Sequence, residues 1–153
     1  MADYTLNDAW CSVQDVRNQN ALLTASVIDG DTMNGSVDDA VELIKGKLRA
    51  RYDLTKFTIP LPADLMQIRL LTAKLACYKA AGTRPDVVSN PEMATFLWTL
   101  AMKELNELSE GNASLPSGYL VSGNSTMPGA IRGALTPRPT RGRTSRHHDD
   151  LRD

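Results

Sequence analysis

The sequence predicts an all-α fold: a small bundle of one short and three longer helices, followed by an extended C-terminal arm. Three observations predict it. Aromatic residues make up only 5% of a chain that is 42% hydrophobic. A core must then be built from Leu, Ile, Val, Ala and Met, which suits packed helices better than strands rich in β-branched and aromatic residues. Apolar residues recur at three and four positions in separate stretches, the period of a helix with one buried face. Beyond Gly111 the composition turns to Gly, Ser, Pro, Thr and Arg, too poor in apolar side chains to fold alone. A length of 153 residues suffices for one domain and hardly for two. Residues 1–111 are therefore assigned to the helical body and 112–153 to the arm.

The elements follow in order. Ser12-Val13-Gln14-Asp15 resembles a capping box with Asp in place of Glu and opens a short helix over about 12–19. Asp29-Gly30-Asp31 and Asn34-Gly35 are turn signals, so 20–35 is expected to be a loop packed over the body. Ser36 opens the second helix, whose stripe is Val37, Ala40, Val41, Ile44, Leu48 and Tyr52. Gly46 interrupts it at a cost of about 1 kcal/mol against Ala and is read as room for a neighbouring helix. Pro60 and Pro62 keep 53–60 extended, and Pro62 can start the third helix. That helix runs to about Ala81, with Leu65, Ile68, Leu71, Thr72, Leu75 and Cys77–Tyr78 on a broad apolar face and Gly82 as its stop. Pro91 begins the fourth, behind Ser89 or Asn90 as cap. Its stripe of Met93, Phe96, Leu97, Leu100, Ala101, Leu105 and Leu108 is taken as core, and Gly111 stops it.

Charge divides the chain. Residues 1–111 hold 11 Lys and Arg against 15 Asp and Glu, whereas 112–153 hold six Arg against three Asp. The body is mildly acidic and the arm basic, so the arm should seek an anionic surface. Arg132, Arg138, Arg141, Arg143 and Arg146 are interspersed with Pro, Gly and Thr, and Tyr119-Leu120-Val121, Met127, Ile131 and Leu135 provide apolar anchors. Tyr119, Leu120, Ile131, Leu135 and the five arginines are thus candidate partner-binding residues of a docking arm. A solvated basic end is the plainer alternative. Lys45, Lys47, Arg49 and Arg51 form a basic helix end. A solvated face or an intersubunit ion-pair surface, with Lys45, Arg49 and Arg51 as interface residues, is preferred over phosphate binding, for no aromatic platform interleaves them.

Catalytic sets are missing from the sequence. The only histidines are His147 and His148, so no general base pairs with a nucleophile elsewhere. Followed by Asp149 and Asp150, they make a weak metal set. Asp29-Gly30-Asp31 lacks the ligands of a calcium loop, and Asp38, Asp39 and Glu42 suit the first turn of a helix. No enzyme activity, cofactor or metal is expected. Cys77 reads as a buried small hydrophobe, with a disulfide to Cys11 left open. Neither a leader peptide nor a membrane span is evident, and the expected setting is soluble and reducing, with no membrane partner.

One resemblance is specific. Tyr4-Thr5-Leu6 and Cys11 to Arg17, a helix like Val37 to Tyr52 closing on Ala50-Arg51-Tyr52-Asp53-Leu54, a Pro-Leu-Pro link, a helix like Leu65 to Tyr78 with Arg69, Leu75, Ala76 and Tyr78, and a last helix like Glu92 to Leu108 follow one another at characteristic spacing. Over about residues 4–111 the chain resembles the head–tail connector adaptors of tailed bacteriophages, particularly the Mu-like branch. The resemblance implies a four-helix fold forming a ring, usually twelve-fold, between the portal protein and a stopper or tail-completion protein. It implies a place in the virion neck, assembly in the bacterial cytoplasm, and a DNA channel crossed without sequence-specific contact. In several such adaptors the C-terminal segment grips the portal, the use implied for the arm. Physically, a body with a basic helix end and acidic residues elsewhere can pair heterologously around a ring, and a tethered arm gains effective concentration. The competing reading is a nucleic-acid-binding helical regulator whose arginine tail meets phosphates. No helix carries the clustered basic and amide residues of a recognition helix.

Overall fold

Four α-helices form around one of their number, with no β-strand among the described residues. The computed structural model describes residues 2–87 and 91–122. In chain order the helices are α1 (Val13–Gln19), α2 (Gly30–Leu48), α3 (Met66–Gly82) and α4 (Pro91–Glu110). α3 is central and packs against each of the other three. Its Ile68, Leu71 and Leu75 are fully buried, and they meet the buried Val37, Ile44 and Leu48 of α2 and Leu105 and Leu108 of α4 in one core. Thr72, also buried, satisfies its hydroxyl by donating to the Ile68 carbonyl at 2.7 Å.

α1 is held at both its start and its side by one carboxylate. The Ser12 hydroxyl accepts from the Asp15 N–H at 3.1 Å, and Asp15 Oδ2 accepts from the Ser12 N–H at 2.9 Å, closing the capping box expected from sequence. The same carboxylate takes a fork of bonds from Arg69 of α3, Nε at 3.0 Å and Nη2 at 2.8 Å. This pair ties the shortest helix to the central one.

α2 begins six residues before the expected Ser36. Asp29 is the cap, its carboxylate accepting from the Thr32 N–H at 3.0 Å. Asn34 does not turn the chain. Its side chain accepts from the Tyr4 N–H at 2.8 Å and donates to the Ala2 carbonyl at 2.9 Å, tethering the N-terminal segment. Ser36 bonds back to the Thr32 carbonyl. The turn-forming residues were thus absorbed by a helix because Met33 and Asn34 both have buried sites to fill. Gly46 admits no neighbouring helix: it is exposed, and the nearest atom to a Cβ placed there is Nη2 of Arg49 at 3.9 Å.

At the other helix ends the sequence reading holds more closely. After 3₁₀ turns at Leu54–Lys56 and Ala63–Leu65, α3 runs through Gly82 and is capped by Thr83, one residue later than expected. The proposed caps Ser89 and Asn90 lie outside the described residues. Gly111 ends α4 with φ +86°, and its N–H donates to the Glu107 carbonyl. A Cβ there would fall 2.5 Å from Nη1 of Arg51.

The boundary after Gly111 does not separate body from arm. Residues 112–122 fold back over the end of α2. Leu115 is buried, and its N–H donates to the Tyr52 hydroxyl at 3.3 Å. Tyr52 and Leu120 form an isolated antiparallel bridge. The Asp53 N–H donates to the Tyr119 carbonyl at 2.7 Å, and the Val121 N–H to the Arg51 carbonyl at 3.0 Å. The Tyr119 ring meets Phe57 edge-on at 5.8 Å, and Phe57 meets Trp10 at 5.5 Å. The strap therefore closes an aromatic row that also includes the N-terminal segment.

Two predictions follow from the helices. Gly35 and Gly46 are exposed inside α2 with open space around them, so Gly35→Ala and Gly46→Ala should each raise unfolding stability by about 0.5–1 kcal/mol in urea titrations. The Asp15 carboxyl is pushed up by burial but brought further down by the bonds from Arg69 and Ser12, ending below its usual value. Its contribution is complete above the unfolded value of about 3.9 and is lost as pH falls through the lower folded value. Asp15→Asn should cost about 2 kcal/mol at pH 7 and flatten the stability profile below pH ~4; an unchanged acid limb would contradict the clamp.

Candidate assembly surface

α4 has 20 residues, a rod of about 30 Å, and only its second half is covered. Ala101, Leu105 and Leu108 are buried against the core. In the first half the Tyr78–Trp98 ring pair, at 4.5 Å, joins the helix to α3. Met93, Phe96, Leu97 and Leu100, expected from sequence to be core, are instead 53%, 57%, 39% and 47% exposed. The seven apolar positions of the stripe fall into two groups rotated by about 100° from one another at 3.6 residues per turn. One group faces the bundle and the other faces outward.

The outward group borders an uncovered side of α3. Glu104 accepts from Gln67 at 2.9 Å and pairs with Lys74 at 3.8 Å, which fixes that side of α4 against α3. Met93 and Leu97 line a cleft of about 330 Å³ together with Leu22, Lys74, Cys77 and Tyr78. Met66 and Leu70 precede Lys74 at four-residue steps on the same side of α3, and both are about half exposed. Nine large hydrophobic residues are exposed among the described ones. All but Ile59 and Val121 lie on α4, on α3 or, as Leu22 does, beside the cleft between them. A single exposed Leu means little, whereas a continuous apolar area marks an interaction surface.

Cys77 in the cleft is a free thiol pushed up to about 11 by burial. Cys11 is free as well and pushed up to about 12, by burial first and then by Asp15, against an opposing pull from Arg69. Neither thiol forms an appreciable thiolate at neutral pH. Among the described residues no group of three or more His, Cys, Asp or Glu side chains is placed to hold a metal, and no helix is long and apolar enough to cross a membrane.

The sequence-derived candidates are scattered. Lys45 is half-buried, pairs with Glu42 at 3.3 Å and lies over the Trp10 ring at 5.7 Å. Arg51 lies over the Tyr52 ring and beside Gly111, where its charge faces the C-terminal end of α4. Arg49 is exposed. Of the three candidate interface residues, Lys45 and Arg51 are thus engaged within the chain. Tyr119 and Leu120 are half-buried on the chain's own body, with the Tyr119 hydroxyl donating to Asp64 at 2.6 Å. Ile131, Arg132, Leu135, Arg138, Arg141, Arg143 and Arg146 lie outside the described residues, as do His147 and His148.

Comparison with protein-family models, with curated proteins and with solved structures finds no match for this chain. The residues that sequence reasoning missed are Leu22, Met66, Leu70 and the outward half of α4. The rotation within the α4 stripe was the available signal.

The two groups on α4 can be told apart by one substitution in each. Leu105→Ala removes a fully buried side chain and should cost about 3 kcal/mol. Leu100→Ala should stay within about 0.5 kcal/mol. Equal losses in thermal or urea unfolding would mean that the outward group is core after all.

Proposed function

We propose that this chain is a structural protein of a tailed-phage neck, a head–tail connector adaptor that forms a ring between the portal protein and a stopper or tail-completion protein. The observation that carries the reading is the run of half-exposed apolar side chains along α4 and α3. It is a surface that water disfavours and that a lone copy leaves uncovered. A ring member needs such a surface on its flank, because heterologous contacts repeat around the closed ring. The order of elements supports the same reading. Arg51-Tyr52-Asp53, within the stretch that resembles the adaptors, is the junction that receives the C-terminal strap. The central helix carries Arg69, which fixes α1 through Asp15.

In this reading the ring lines the DNA passage, and the arginine-rich residues beyond 122 dock on the portal or on a neighbouring subunit. The alternative, a nucleic-acid-binding regulator, draws less support. Of the basic helix end, Arg51 and Lys45 are engaged within the chain, which leaves Lys47 and Arg49 as its exposed members.

Electron microscopy of purified virion necks tests the proposal. A closed ring of this chain under the portal, with α4 against the adjacent copy, is the expected result. A neck without this chain, together with salt-dependent DNA binding by the isolated protein, would favour the alternative. The fold also restricts how the arm should be tested by truncation: the cut belongs after Ser122, because Leu115 to Val121 are part of the body.

A further inference from the structure

The apolar surface of α4 needs an occupant, and the chain carries a segment of matching chemistry. Beyond Ser122 lie 31 residues. In them Met127, Ala130, Ile131, Ala134 and Leu135 recur at three- and four-residue steps, the spacing of a row of anchors that fits a groove between helices. Arg132 and Arg138 flank the row, and no acidic residue occurs before Asp149. α4 has the opposite balance, four glutamates against one lysine over 91–110. The arm is attached at the strap, next to Gly111 at the far end of α4. Phe96 lies 15 residues up that helix, about 22 Å away. Nine residues from Ser122 to Ile131 span up to ~30 Å, enough to leave the parent body for an adjacent copy.

Resting on the ring reading above, we propose that the Met127–Leu135 segment of one copy docks on the apolar surface of the next copy's α4, around Phe96, Leu97 and Leu100. Met127, Ile131 and Leu135 cover the half-exposed side chains, and Arg132 and Arg138 bring positive charge to a helix with four glutamates and one lysine. Each copy then gives its arm to one neighbour and receives an arm from the other. Repeated head to tail, such a contact closes into a ring when the rotation per copy allows it.

A mixing experiment with full-length chains tests this contact. One variant, Phe96→Glu with Leu100→Glu, keeps the arm and loses the surface. A milder pair, Phe96→Ser with Leu100→Ser, covers the case that charge disturbs folding. The other variant, Ile131→Glu with Leu135→Glu, keeps the surface and loses the arm. Sedimentation at about 50 µM should show association of the wild-type chain that each variant alone lowers at least tenfold. Mixing the two variants should restore one contact and give a 1:1 complex. The proposal is overturned if the arm variant associates like wild type, if the mixture remains monomeric, or if wild type itself does not associate. Rings of the arm variant in necks would leave the ring reading standing while removing this contact from it.

Discussion

The constraint on which this structure depends is that α4 has more apolar surface than the bundle can cover. Its second half completes the core: Leu105 and Leu108 pack with α2 and α3, and Gly111 turns the chain through a left-handed φ into the strap. Its first half extends along α3 with one ring pair as its main contact and four large apolar side chains facing outward. Burying a Leu or Met side chain is worth about 1.5–3 kcal/mol, so leaving four half-exposed forgoes stabilisation that a partner can supply.

The rest of the molecule is arranged to hold α4 in that position. α3 is buried on three sides, and Asp15 caps α1 while binding Arg69. Tyr52 does the corresponding task at the other end. Almost fully buried, it accepts the Leu115 N–H on its hydroxyl and pairs with Leu120 in the bridge, so the end of α2 and the strap converge on one residue. Arg51 beside Gly111 places a cation at the C-terminal end of α4. Residues that a sequence reader would assign to outside partners, Arg51, Tyr119 and Leu120, are engaged in this internal junction.

Much of the fold was legible from residue patterns. The helical class, the α1 capping box, the core face of α3 and the stop at Gly111 follow from periodicity and end signals, because those depend on local chemistry. What failed to show depends on partners distant in sequence. Asn34-Gly35 reads as a turn until the N-terminal segment takes up the Asn34 side chain. Tyr119 and Leu120 read as an arm until Tyr52 and Asp53 supply their bridge. The outward side of α4 was hidden in a stripe that looked like one face, and the rotation between its two groups was the sole hint of where the helix leaves the core.

If the chain is a neck protein as proposed, the outward side of α4 is covered in the assembled particle. Methionine oxidation measures this directly, since peroxide converts exposed Met to the sulfoxide. Met93 is 53% exposed and Met33 is fully buried in the single chain. In isolated protein Met93 should oxidise readily and Met33 should not. In intact virions, read by mass spectrometry, Met93 should be protected at least tenfold. Equal oxidation of Met93 in the free chain and in the particle would contradict the account.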